Sequence, residues 1–176
     1  MGLMLVVISS AFRLTYRSVE SGDKKSEYIE RTSSSMSVVE SQFQSFLPIM
    51  YDDGALVKYR FSGTTDSASF STDYSIWGSG PVMAYYNIDT DTDGKKTLYL
   101  TEESIYGFQS KEPMRVRLFS GMLDMSFSYF YKEPSAQKGR WVNSWIAGSS
   151  VPSLVRLSIS DGNRELDIPI ELRASR

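Results

Sequence analysis

Met36-Ser37-Val38-Val39-Glu40-Ser41-Gln42-Phe43-Gln44-Ser45-Phe46-Leu47-Pro48 is the stretch at which the chain changes its periodicity. Within it Met36, Val39, Phe43, Phe46 and Leu47 fall at spacings of three, four, three and one, which lines one face of a helix. Tyr28 and Thr32 extend the stripe backwards in steps of four, and Pro48, which has no N–H to continue the ladder, stops it. The spacing predicts one long helix over residues 1–47 that packs its stripe on its own domain.

On the other side of Pro48 the pattern is that of strands. Segments 55–61, 68–72, 82–88, 97–101, 114–118, 123–131, 154–160 and 165–172 are short, rich in β-branched and aromatic residues, and separated by Gly, Asp, Asn and Pro. Asp161-Gly162-Asn163 reads as the hairpin turn between the last two, because Asp-Gly tolerates positive φ. Leu123, Met125, Phe127, Tyr129 and Tyr131 share one face of a single strand expected to be central. A helix followed by these strands predicts the α+β class: a long N-terminal helix packed on antiparallel β-sheets, with residues 48–176 as the β-rich domain.

Composition limits the chemistry. In 176 residues there is no His and no Cys, so a Ser-His-Asp triad, a thiol nucleophile, a His-ligated metal and a disulfide are all excluded, and an enzyme is not expected. Lys and Arg total 19 against 21 Asp and Glu, a net charge of -2 that argues against nucleic acid as the partner. Aromatic residues make up 13%, which argues against disorder.

Residues 1–8, MGLMLVVI, are apolar on every side of a helix and are followed by Ser9 to Phe12 before the first charge at Arg13. This run of about a dozen residues is short of the roughly 20 that span a bilayer. It lacks the basic start and cleavage site of a secretory signal. A buried core helix, an interfacial anchor and the second half of a longer hydrophobic helix all fit it.

Asp89-Thr90-Asp91-Thr92-Asp93-Gly94 alternates carboxylates before a turn glycine, as calcium loops do. The EF-hand form is excluded because its twelfth position is Leu100. The preferred reading is a hairpin loop with solvated carboxylates, so no metal is assigned, and Asp89, Asp91 and Asp93 remain a calcium candidate. Trp141 and Trp145, four residues apart, fit either a stacking platform for sugars or the core, and the core is preferred. Glu102, Glu103 and Glu112 read as a charged loop face rather than as paired glycosidase carboxylates.

The order of these features resembles one family. An apolar helix with an amphipathic continuation is followed by Phe61-Ser62-Gly63 through Ser69-Phe70-Ser71, Gly80-Pro81, and Ala84-Tyr85-Tyr86-Asn87-Ile88. The last third carries Ser120-Gly121-Met122-Leu123-Asp124-Met125-Ser126-Phe127-Ser128-Tyr129, then Trp141-x3-Trp145, then Pro152-x-x-Val155-x-Leu157. Over most of its length the chain resembles minor pseudopilin J of the bacterial type II secretion system, in the pilin-like superfamily.

The resemblance implies a pilin-like fold and a non-enzymatic filament subunit without cofactor. It implies a single-pass inner-membrane protein with its globular domain in the periplasm. Its partners would be the I-like and K-like minor pseudopilins, with which it would form the tip that starts the pseudopilus, and the major pseudopilin. Residues 1–12 would then be the residual membrane or filament-core segment and 13–47 the part that packs on the sheet. Leu3, Leu5, Val6, Val7, Ile8, Phe12 and Leu14 would pack against neighbouring helices, and exposed helix positions after Arg13 would meet the I-like and K-like subunits. Trp141, Trp145, Pro152, Val155 and Leu157 would be the signature core. The family's prepilin peptidase cleaves after a Gly and methylates the new terminal Phe; those positions are not in this sequence, and residues 1–8 would correspond to the second half of the membrane helix. Two alternatives stand beside this expectation: a minor pilin of a type IV pilus, and a soluble calcium- or sugar-binding β domain.

Overall fold

Apolar and polar residues alternate beyond Pro48, and strand pairing converts that alternation into one dry face and one wet face. The computed structural model describes residues 30–52, 54, 57–78, 80–106, 113–132, 137–148 and 150–173. The chain divides into two units, Met1–Met36 and Ser37–Arg176. In the first only residues 30–36 are described, all of them helical; the described part of helix α1 covers 30–44.

In the second unit β1 (Met50–Asp52) and β2 (Val57–Tyr59) form a small antiparallel ribbon. Strands β3 (Phe61–Gly63), β4 (Ser67–Thr72), β5 (Val82–Thr90), β6 (Lys96–Ser104) and β7 (Met114–Met122) follow as an antiparallel meander in chain order. A second sheet holds β8 (Asp124–Tyr131), β9 (Arg140–Val142), β10 (Leu154–Ser160) and β11 (Glu165–Glu171) in the order β11-β10-β8-β9. The chain changes sheets at Leu123, two residues after Gly121, whose φ of 74° only glycine adopts without strain. Met122 pairs with Lys96 in the first sheet and Asp124 with Ser160 in the second. Across this corner Lys96 Nζ donates to Asp124 at 2.7 Å, a bond that holds the Asp124 carboxyl below its usual pKa.

The inward faces supply the core. Val82, Ala84, Tyr86 and Ile88 of β5, Leu98 and Leu100 of β6, Met125, Phe127 and Tyr129 of β8, and Val155, Leu157 and Ile159 of β10 are all buried. Phe43 of α1 joins them: its ring lies 4.3 Å from Phe70, 5.5 Å from Tyr86 and 6.5 Å from Phe127, so a single helix residue touches both sheets. Such aromatic pairs each add about 0.5–1.5 kcal/mol beyond their buried area. Gly63 of the first sheet is pressed against the ring of Tyr129 in the second, whose hydroxyl is within hydrogen-bond reach of Thr64 O at 3.0 Å and Ser67 O at 2.8 Å.

Two expectations are corrected. The described fold is mostly β, three antiparallel sheets with one short helix, and not an α+β or pilin-like fold built on a long helix. The physical reason is where the apolar surface lies. Val39 and Phe43 of α1, with Phe46 just after it, reach the core, and strands supply most of the rest. Among the described residues, moreover, no helix is long and apolar enough to cross a membrane, against the expected single-pass inner-membrane protein. The described helix carries Glu30, Arg31, Glu40 and the serines 33–35, which no bilayer core accommodates cheaply. Leu3, Leu5, Val6, Val7, Ile8, Phe12 and Leu14 lie outside the described residues, as do Tyr28, Ala55 and Glu112.

Candidate functional site

Asp89 to Gly94 closes the β5–β6 hairpin. Asp91 Oδ1 accepts from the backbone N–H of Asp93 at 3.0 Å and of Lys95 at 2.7 Å, and Gly94 takes a φ of 75°. The Asp89 carboxylate is held by the Arg115 guanidinium, which lies over the Tyr99 ring at 3.7 Å. Two of the three candidate calcium ligands are therefore engaged within the protein. Among the described residues no group of three or more acidic side chains is placed to hold a metal ion. Asp91→Ala is expected to lower the unfolding free energy by about 1 kcal/mol, as two turn amides lose their acceptor, and millimolar calcium is expected to leave the melting temperature of the parent protein unchanged. Calorimetry with and without calcium checks both.

Trp141 lies on β9 of the second sheet, and Trp145, just beyond it, bridges to Gly63 of the first. Trp145 is buried edge-on to Tyr131, gives its Nε1–H to Ser150 O at 3.2 Å, and exchanges backbone bonds with Gly63. Trp141 is half-buried, edge-on to Phe130, with the Arg156 guanidinium 4.5 Å from its ring centre. Pro152, Val155 and Leu157 are buried beside them in sequence. Trp145 is too buried to offer a stacking face, and one face of Trp141 is covered by Arg156.

Glu102 behaves differently from its sequence reading. It continues the inward phase of Leu98 and Leu100, so β6 carries a carboxylate into the core, where the residue is only 6% exposed. Its Oε1 accepts from Gln42 Nε2 at 2.5 Å and from the Ile76 N–H at 3.0 Å, and its Oε2 accepts from the Ser75 hydroxyl at 2.6 Å. Tyr86 donates its hydroxyl to Gln42 Oε1 at 2.6 Å, which fixes the Gln42 amide with its NH2 toward Glu102 and Tyr74 O. Burial first, then the charge of Glu102 and the neighbouring Tyr74, pushes the Tyr86 hydroxyl well above its ordinary pKa and keeps it a donor. The network ties the last turn of α1, the β4–β5 connection and the end of β6 into one unit. The sequence signal for it was the unbroken two-residue period from Leu98 to Glu102.

Large aromatic residues are exposed on the chain segments next to this network. Tyr74 and Trp77 are exposed on the connection that Glu102 holds, Trp77 to 46%. Tyr106, 64% exposed, follows Ile105, whose N–H reaches Pro81 O at the far end of the same connection. Residues 37–49, 73–82 and 98–106, the segments brought together here, contain Glu40, Asp73, Glu102 and Glu103 and no Lys or Arg.

The buried hydroxyls set a pH dependence. Tyr86 and Tyr129 are both raised from the ordinary value near 10, chiefly by burial. Their contribution to stability is fully present below pH 10 and is lost above it, where the unfolded chain ionises first. Urea midpoints measured upward from pH 8 are expected to hold and then fall steeply beyond pH 10.

No family model, no curated protein and no solved structure matches the chain.

Proposed function

We propose that this chain is a structural subunit of a secretion filament, with a role like that of minor pseudopilin J at the tip of the type II pseudopilus. On this reading it meets I-like and K-like minor pseudopilins and the major pseudopilin, and it acts by association rather than by bond-making. The observation that carries the reading is the exposed Tyr74-to-Trp77 connection, clamped from below by a buried hydrogen-bond network. Large aromatic side chains on a preorganised support are the residue types that anchor protein interfaces. The chemistry at Glu102 agrees with it. The carboxylate is occupied by three donors, and the adjacent Ser75 hydroxyl faces that carboxylate in a chain without imidazole.

The test is co-purification of residues 37–176 with the globular domains of I-like and K-like pseudopilins encoded beside it, sized by light scattering. A stoichiometric complex is expected. A monomer that ignores both partners at concentrations well above micromolar would overturn the reading.

A further inference from the structure

We infer that Met114 is an oxidation site coupled to the Glu102 network: its thioether takes one oxygen atom from a peroxide, and the resulting sulfoxide loosens the hold of Glu102 on Ser75 and Ile76.

Register and exposure point to this residue together. Met114 opens β7 directly opposite Glu102 of β6, and the next pair on that face is Val116 opposite Leu100. Residues opposite one another in an antiparallel pair share a face, with Cβ atoms about 4.5–5.5 Å apart. Met114 therefore stands beside the carboxylate that β6 turns inward. The two differ in access to solvent: Met114 is 40% exposed and Glu102 only 6%. An oxidant in water reaches the sulfur without entering the core, whereas Met122 and Met125 are buried. In a chain without Cys, thioethers are the sulfur groups open to oxidation.

The step needs only the peroxide. A sulfur lone pair attacks one peroxide oxygen, the S–O bond forms as the O–O bond breaks, sulfur is oxidised by two electrons, and the other oxygen leaves as water. An apolar, adaptable neighbour of Glu102 becomes a strong dipole. Its oxygen accepts hydrogen bonds and donates none, while the partners of Glu102 are all donors: Gln42 Nε2, the Ser75 hydroxyl and the Ile76 N–H. The sulfoxide oxygen therefore repels the carboxylate and draws water toward a group whose burial is tolerable only while its donors stay in place. Met50 supplies the contrast, since it is 57% exposed but stands opposite Tyr59 in the β1–β2 ribbon.

The full chain is treated with hydrogen peroxide, the sulfoxides are located by peptide mass spectrometry, and melting and amide exchange at Ile76 are measured before and after. Met114 is expected to gain its oxygen well ahead of Met122 and Met125. The oxidised chain is expected to melt about 3 °C lower and to exchange the Ile76 amide faster. Met114→Leu, which conserves volume, should abolish both changes, Met50→Leu should leave both, and methionine sulfoxide reductase should reverse them in the parent chain. The inference is overturned if Met114 oxidises no faster than Met125, if the changes persist in Met114→Leu, or if Met114 sulfoxide forms with Ile76 exchange unaltered.

Discussion

Gly63→Ala is expected to be the most damaging single-atom change in the described part of the chain, lowering the unfolding free energy by about 3 kcal/mol or more, the upper end for overpacking. A Cβ on Gly63 would fall on the hydroxyl and ring of Tyr129. Tyr129 has nowhere to withdraw. It is buried, edge-on to Phe61 at 6.0 Å, and its hydroxyl reaches the carbonyls that shape the turn between β3 and β4. The backbone of Gly63 is equally constrained, since its N–H and C=O are exchanged with Trp145, in the segment after β9. Accommodating one methyl therefore means parting the sheets or rupturing that bridge. Gly148→Ala is the control: the nearest atom to its Cβ would be Ile146 O at 3.7 Å, ordinary contact distance, and it should change stability by less than about 0.5 kcal/mol. Urea unfolding of both variants checks the contrast, and a Gly63→Ala protein as stable as the Gly148→Ala protein would contradict the account.

How far the sequence exposes this architecture depends on whether a signal is local. The strands of the meander and of the second sheet are legible because each holds its alternation for several residues. The Asp161-Gly162-Asn163 turn forms as its chemistry predicts, with Asp161 Oδ1 accepting from the N–H of Asn163 and Arg164 and Gly162 at a φ of 90°. Strands β1 and β9 were missed because three residues are too few to show a period. Their partners, β2 and β8, are what make them strands. Leu123 has the phase of a core residue yet is exposed, because it falls in the passage between sheets. At its C-terminal end the helix stops at Gln44 rather than Leu47, because Phe46 keeps the apolar spacing yet bridges to Thr72; the expected helix before residue 30 lies outside the described residues. Glu102 is the instructive miss. Charge made it look like loop surface, while phase placed it in the core, and only long-range partners such as Gln42, sixty residues away, make that burial tolerable.

That partnership leads to the second large effect. Gln42→Leu removes the donor to Glu102 and the acceptor of the Tyr86 hydroxyl at once, with both partners in the interior. Each buried polar group left short of a partner costs about 1–3 kcal/mol, so a loss of about 3 kcal/mol is expected for Gln42→Leu. Glu102→Leu strands the donors of Gln42, Ser75 and Ile76 instead. Of these the Ser75 hydroxyl can rotate to a new partner, so about 2 kcal/mol is expected. The double variant is the informative one. With both polar side chains gone, neither is left stranded by the other, and replacing a buried polar pair with apolar groups is often close to neutral. The two losses should therefore fall short of additivity by more than about 1 kcal/mol in a double-mutant cycle of unfolding free energies. Strict additivity would mean that the 2.5 Å contact contributes nothing specific and that Gln42 and Glu102 are buried independently. The cycle also separates stability from arrangement. If the double variant keeps its melting temperature but Trp77 becomes more accessible to a quencher, then the network is retained to hold the connection over it in one place. That is the role an interface anchor requires of the residues beneath it.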